Sequence, residues 1–155
     1  MIEDRRLRPP EEHEITIDAL VKARVFETKQ SAMTFAAALG WYRNSKRQIS
    51  KAGEGVRWQV FERNQDSAFI FALAIAAEKS INALDLDATN GNIVEDVFEQ
   101  FAAAGLDNLA DSLANVQGDV LDTLLLLLAE ARRENDDKPT GLKGLSQGTL
   151  DALGL

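Results

Sequence analysis

The chain contains no cysteine and only one histidine, His13. Without cysteine it can form no disulfide, no thiolate metal site and no cysteine nucleophile. A single histidine excludes a zinc enzyme built on two or three imidazoles, and a Ser-His-Asp triad would need His13 as its base. Because His13 lies in a charged N-terminal segment, we expect it to be exposed to solvent instead. The composition therefore predicts no metal ion and no other cofactor, and it suits a reducing cytoplasmic environment.

Long apolar runs are missing too. The longest one, residues 68–77, has ten residues, whereas a helix that crosses a bilayer needs about twenty. The N-terminus mixes charges and lacks the apolar core of a secretory signal. We therefore expect a cytoplasmic protein with no membrane partner. The apolar run itself predicts a buried helix over residues 67–79 at the centre of the core.

The chain also lacks the residue patterns of common catalytic sites. Gly53-Glu-Gly55 has neither the third glycine nor the lysine of a phosphate-binding loop. Paired carboxylates such as Glu95 and Glu99 lie one helical turn apart on polar faces, where ordinary solvation explains them. We therefore expect a protein that is not an enzyme.

Positive charge is scarce overall but concentrated in one segment. The net charge is −8, yet residues 22–63 carry nine basic and three acidic side chains. Fields from exposed charges fade over about 8 Å at physiological salt, so a local cationic face can attract DNA phosphates despite the acidic total. Alternatively, the segment pairs with the acidic half of the same molecule, residues 64–155. The candidate nucleic-acid-binding residues are Arg43, Lys46, Arg47, Lys51 and Arg57.

Aromatic side chains bracket this basic segment. Trp41 and Tyr42 precede it, and Trp58 follows it. Aromatic rings among basic residues are typical of surfaces on which bases of single strands stack. The alternative is that both tryptophans are core residues that anchor the ends of the segment.

The spacing of apolar residues predicts a mostly α fold, a single compact domain of about five to six helices. Ala32, Phe35 and Leu39 share one face of a helix that Thr28 caps and Gly40 closes. A helix that begins near Asn92 is expected to stop at Gly105. We expect the core to include Phe35, Leu39, Phe71, Leu73, Val97, Phe101, Leu124 and Leu128.

Further helices are predicted over residues 18–24 and 107–113 and from residue 119 onward. One short hairpin or strand pair is also expected, near residues 15–17 and 56–60, although a single helical turn at residues 56–60 is the alternative. A strand at residues 15–17 that leads into two helices would give the ribbon-helix-helix order of some small DNA-binding proteins.

Composition divides the chain into three parts. Residues 1–13 are charged and lack periodicity, which predicts a flexible arm. The helical domain is expected over residues 14–135. Residues 136–155 place leucines among four glycines, which disfavour a stable isolated helix. We therefore expect a Gly/Leu tail that is mobile or docks on a partner.

Three segments carry a resemblance to a known family. Phe26-Glu-Thr-Lys29, Phe35-Ala-Ala-Ala-Leu-Gly40 and Gly53-Glu-Gly-Val-Arg-Trp-Gln-Val-Phe-Glu62 resemble the bacterial family called DNA phosphorothioation-associated protein 4. The likeness is firmest across residues 26–62 and continues more loosely to about Arg133, so the arm and the tail fall outside it. Such families are named for genes beside the machinery that replaces a DNA phosphate oxygen by sulfur and polices unmodified DNA. The resemblance implies a defence-linked accessory protein and brings no catalytic residues.

Two functions follow as hypotheses. The first is a non-enzymatic, DNA-associated accessory or regulatory protein of a bacterial DNA phosphorothioation, restriction-modification or related antiviral defence system, which binds the DNA backbone through the five basic residues. The second is an interaction module that bridges larger modification or restriction proteins through apolar helix faces and never touches DNA. Assembly into a homo-oligomer is compatible with either hypothesis.

Overall fold

A computed structural model describes residues 4–84, 92–115 and 118–137. The mostly α prediction is confirmed, because helices dominate and the described residues contain a single sheet of two short strands. The chain divides into two compact units, Met1–Gln117 and Gly118–Leu155. The elements are β1 (Arg6–Leu7), α1 (Glu14–Lys22), α2 (Lys29–Tyr42), β2 (Val56–Arg57), α3 (Trp58–Arg63), α4 (Ser67–Glu78), α5 (Ile93–Ala114) and α6 (Val120–Asp137), with 3₁₀ turns at Glu11–His13 and Ile81–Leu84.

Helices α2 and α5 form the centre of the first unit. Both were expected to stop at a glycine, yet Gly40 lies inside α2 and Gly105 lies inside α5. A Cβ at Gly40 would overlap the carbonyl oxygen of Phe101, and a Cβ at Gly105 would overlap that of Ala36. The glycines therefore allow the two backbones to touch. Because α5 does not stop at Gly105, the short helix expected over residues 107–113 is the continuation of α5.

The all-apolar helix α4 begins at Ser67 as expected, but it is not the centre of the core. It buries only Ile70, Leu73 and Ala74, whereas α5 buries ten of its residues. The close approach at Gly40 and Gly105 is what places α2 and α5, and not α4, at the centre. Of the expected core residues, Leu73, Val97, Phe101 and Leu124 are buried, Phe35, Leu39 and Phe71 are half-buried, and Leu128 is exposed, contrary to expectation.

The two-stranded sheet uses a different partner from the one expected. Leu7 of β1 pairs with Val56 of β2 in antiparallel register. Residues 15–17 lie in α1 instead, where Ile17 and Leu20 share the buried face at helical spacing. A strand at these residues was therefore a wrong prediction. The ribbon-helix-helix order depended on that strand, so it is wrong as well. Beyond Arg57 the chain turns directly into α3, so the second predicted strand is only two residues long.

Residues 4–13, the described part of the N-terminal segment, belong to the packed body, which differs from the flexible arm expected over residues 1–13. Leu7, Pro9 and Pro10 are fully buried. The backbone N–H of Glu11 donates to the carbonyl of Lys51 at 2.9 Å, and that of Gly53 donates to Pro9 at 2.7 Å. The apolar residues between the charges are thus what attach this segment to the domain. The domain boundary expected at residue 135 lies within α6, and residues 138–155 of the expected tail fall outside the described part of the chain.

Candidate interaction surfaces

The basic segment leaves the end of α2, and Arg47 fixes it to α5. The Arg47 guanidinium donates to both carboxylate oxygens of Asp107, at 2.6 Å from Nε and 3.0 Å from Nη2, and to Glu12 at 3.0 Å. The backbone N–H of Arg47 donates to the carbonyl of Gln100 at 3.1 Å. Arg47 therefore has a structural role in attaching the segment to the helical body.

His13 contacts the same carboxylate and is buried, which corrects the expectation that it is exposed. Its Nε2 lies 2.5 Å from Oδ1 of Asp107, and its Nδ1 lies 3.3 Å from the hydroxyl of Thr16. Burial raises the pKa of Asp107, but hydrogen bonds from Arg47 and His13 outweigh burial and hold that pKa below its usual value. No local pattern predicts this contact, because His13 and Asp107 are separated by 94 positions.

Two more of the five predicted basic residues are paired with carboxylates of the N-terminal segment. Lys51 lies 2.7 Å from Glu11, and Arg57 lies 3.7 Å from Asp4. Both pairs are exposed, where such contacts contribute little to stability. They do, however, offset positive charge that phosphates would otherwise meet. Pairing with the acidic half, the alternative left open above, therefore accounts for Arg47, whereas Lys51 and Arg57 pair with the N-terminal segment instead.

Arg43 and Lys46 have no carboxylate partner within residues 4–84, 92–115 and 118–137. Arg43 lies over the ring of Tyr42, 5.7 Å from its centroid. Lys46, Lys79 and Trp41 line a hollow of about 220 Å³. Of the five predicted residues, these two are therefore the ones whose charge is available to an external anion.

The two tryptophans differ in environment. Trp58 is buried, its Nε1–H donates to Glu62 at 2.7 Å, and the Arg5 guanidinium lies 4.4 Å from its ring centroid. Trp41 is 42% exposed and packs edge-on against Phe101, with the ring centroids 5.4 Å apart. Trp58 is thus a core residue, and Trp41 retains a surface that a ligand can reach.

Helix α6, in the second unit, carries a stripe of exposed leucines. Leu121, Leu125 and Leu128 are 47%, 53% and 51% exposed and follow one another at i, i+4 and i+7. An α-helix advances 100° per residue, so these three side chains share one face. Leu126 is 59% exposed but lies about 100° further round the helix. Leu124 and Thr123, by contrast, are buried. Leu121, Leu125 and Leu128 therefore form an apolar stripe that is exposed to solvent.

A polar hollow of about 400 Å³ lies between the N-terminal segment and the first turns of α5. Glu99 lines it and accepts a hydrogen bond from the backbone N–H of Arg8 at 2.7 Å. Burial raises the pKa of Glu99 to about 7, although this hydrogen bond acts in the opposite direction. One turn earlier on α5, the carboxylate of Glu95 forms an ion pair with the Arg5 guanidinium, with Oε1 and Nη2 2.5 Å apart. The hollow therefore contains a carboxyl group that titrates near neutral pH.

Neither a metal-binding cluster nor a membrane-spanning helix occurs in the described residues. No group of three or more histidine, aspartate or glutamate side chains is placed to hold a metal ion within these ranges. Nor does any helix in this part of the chain have the length and apolar character needed to span a membrane.

Comparison with protein families identifies the chain. It matches the model of the family described as DNA sulphur modification system-associated protein 4 over residues 6–147. The match confirms the resemblance seen in the sequence, and it also includes part of the N-terminal segment and part of the tail, which the resemblance had left out. No curated protein and no solved structure gave a significant match. The chain therefore belongs to the DNA sulphur modification system-associated protein 4 family.

Proposed function

We propose that this accessory protein acts by binding another protein of the DNA sulphur modification system through the leucine stripe of α6, without catalysing a reaction. The single observation that carries the proposal is the exposure of Leu121, Leu125 and Leu128 along one helix face. Contiguous exposed apolar surface is typical of protein-binding sites. The family's association with a modification system supplies the expected class of partner.

The energetics of the stripe favour a partner. Fully burying a leucine side chain that was exposed contributes about 1.5 to 3 kcal/mol. Since the three leucines are each about half exposed, covering them would recover roughly 2 to 4 kcal/mol before the costs of association are subtracted. A partner helix with its own apolar stripe fits this geometry, because side chains at i, i+4 and i+7 pack into the grooves of a facing helix.

Co-expression with each protein of the modification system tests the proposal. The tagged chain should co-purify one of these proteins, and Leu125→Asp with Leu128→Asp should abolish the association. Leu126→Asp is the control for each of these changes, since it places one negative charge on an exposed position away from the stripe. Retention of the partner by the double variant would contradict the proposal. So would self-association of the chain alone, lost in the same variant, because the stripe would then serve a homo-oligomer.

A second function, direct DNA contact, is favoured by Arg43 and Lys46, which have no carboxylate partner in the described part of the chain, and by the exposed ring of Trp41, which lines the same hollow as Lys46. Each neutralised phosphate releases close to one counterion, so two such contacts predict a slope of about −2 for log affinity against log salt. Contact by all five basic residues would give about −4 to −5. Salt titrations of a gel shift distinguish the two cases, with Lys51→Ala as the control that leaves a slope of −2 unchanged. If no salt-sensitive binding is seen near 50 mM salt, this second function is lost.

A further inference from the structure

A cavity of about 410 Å³ lies on the side of α2 that faces the start of α4. Three phenylalanines, Phe26, Phe35 and Phe69, line it, and Phe26 and Phe35 pack with their ring centroids 5.3 Å apart. The one charged side chain in the lining is Asp66. The cavity is largely open to solvent, and it combines an apolar lining with a few polar groups, as ligand sites do.

The orientation of Asp66 is unusual for its position. Asp66 is the N-cap residue of α4, where an aspartate ordinarily accepts a hydrogen bond from a backbone N–H of the first turn. It makes no such bond here. Its Oδ2 instead accepts hydrogen bonds from the hydroxyl of Thr34 at 3.1 Å and from the amide of Gln30. Oδ1 has no hydrogen-bond partner within the described ranges, and Asp66 is one of the residues that line the cavity.

Surrounding contacts hold Asp66 in this orientation. Gln30 is buried, and its side-chain oxygen Oε1 accepts a hydrogen bond from the hydroxyl of Thr28 at 3.1 Å. This bond fixes the side-chain amide that donates to Asp66. Gln65, immediately before Asp66, has a φ of 65°. This left-handed conformation is the common one for the residue that follows the end of a helix, here α3. The backbone N–H of Asp66 donates to the carbonyl of Phe61 at 2.9 Å and thereby closes the turn.

We propose that this cavity binds an arginine side chain of a protein partner. The guanidinium would donate to Oδ1 of Asp66 and stack on a phenyl ring, since arginine combines planar hydrogen-bond donors with a cation that aromatic faces attract. An apolar ligand would desolvate the free carboxylate oxygen without replacing its hydrogen bonds. An anion would be repelled. This inference rests on the proposed function, in that it names the chemistry of the group that a bound protein presents at a second surface.

A titration with free probes tests the cavity without any partner. N-acetyl-arginine amide, followed by two-dimensional NMR of the ¹⁵N-labelled protein, should shift amide signals around the cavity, including those of Thr34 and Phe69. N-acetyl-citrulline amide has the same shape but no charge and should bind at least about tenfold more weakly, because a hydrogen bond between charged groups is replaced by a neutral one.

Two variants make the titration specific. Asp66→Asn keeps an oxygen that can accept from Gln30 and Thr34, so the fold should persist while affinity for the arginine probe falls about tenfold. Asp111→Asn is the matched control, since Asp111 is exposed on α5 and does not line the cavity. Phe69→Leu should also weaken binding, and it tests the stacking independently of Asp66.

Equal affinity for the arginine and citrulline probes would overturn the inference, as would binding that Asp66→Asn leaves unchanged. The lack of any shift at about 50 mM probe would overturn it too, because this concentration exceeds the largest dissociation constant expected of a side-chain fragment. Failure here and failure of the α6 proposal are distinguishable. The probe requires no partner protein, and the α6 variants do not alter the cavity lining.

Discussion

Gly105→Ala should destabilise the protein, although the same change in an open helix would stabilise it. Replacing a helical glycine by alanine ordinarily contributes about 0.5 to 1 kcal/mol of stability, since alanine has the higher helix propensity. At Gly105 the new Cβ would overlap the carbonyl oxygen of Ala36, a backbone atom that can move only if α2 moves with it. Forcing a methyl group into a closely packed contact costs about 1 to 3 kcal/mol.

Because the overlap is with backbone on a helix that packs along α5, we expect the upper part of this range. The net effect is then a loss of roughly 1 to 2 kcal/mol in the free energy of unfolding, after subtraction of the propensity gain. Urea denaturation followed by circular dichroism measures it. Gly40→Ala should show the same sign, because its Cβ would overlap the carbonyl of Phe101.

Ala72→Gly on the exposed side of α4 is the matched control, and it should cost about 1 kcal/mol through helix propensity alone. The sign of the effect at Gly105 decides the question. If Gly105→Ala raises the urea midpoint, α2 and α5 do not touch at this glycine, and the packing described for the centre of the first unit is wrong.

The remaining predictions concern charge and the core. Arg47→Ala should lower the free energy of unfolding by about 1 kcal/mol, since it removes both hydrogen bonds to Asp107. Lys46→Ala should change it by less than about 0.5 kcal/mol. Equal effects of the two variants in chemical denaturation would contradict the structural role of Arg47. Glu99 has a folded-state pKa of about 7, above the ordinary 4.5. Folded protein therefore binds more protons than unfolded protein between these values, and stability falls as pH rises through this window. Glu99→Gln should flatten that fall by roughly 2 kcal/mol after allowance for screening, and an unchanged pH profile of the urea midpoint would show that Glu99 is solvated. Phe98→Ala should cost about 3 to 5 kcal/mol, because this ring is fully buried and packs 5.6 Å from Phe61; a loss below about 1 kcal/mol in the same assay would place it at the surface.

Local sequence signals were sufficient where the structure depends on neighbouring residues. Thr28 caps α2 as predicted, by accepting from the backbone N–H of Ser31 at 3.2 Å. The apolar run predicted the start of α4, and Gly118-Asp119 correctly preceded α6. These signals are carried by residues that contact one another within a helical turn.

The errors arise where one residue type serves two physical purposes. A glycine allows a helix to end, and it also allows two helices to touch, so Gly40 and Gly105 were assigned to the wrong purpose. Their neighbours in sequence do not distinguish the two cases. The partner of β2 was missed for a related reason, because a strand of two residues shows no alternation that could be recognised.

The candidate surfaces were predictable only in part. The basic segment is evident from charge alone, but which of its residues remain unpaired depends on carboxylates far away in sequence, such as Asp107 for Arg47. Exposure of the α6 leucines could not be predicted, because a leucine-rich stripe has the same periodicity whether it faces a core or a partner. The Asp66 cavity requires α2 and the start of α4 to be placed together, which no local pattern specifies.

Hydrogen–deuterium exchange on the complex with the co-purified partner tests the central claim most directly. If the partner covers the leucine stripe, the amides of α6 should exchange more slowly in the complex than in the free chain, while those of residues 43–51 should be unchanged. Unchanged exchange across α6, with protection of residues 43–51 in the presence of DNA, would contradict the account and assign the function to the basic segment.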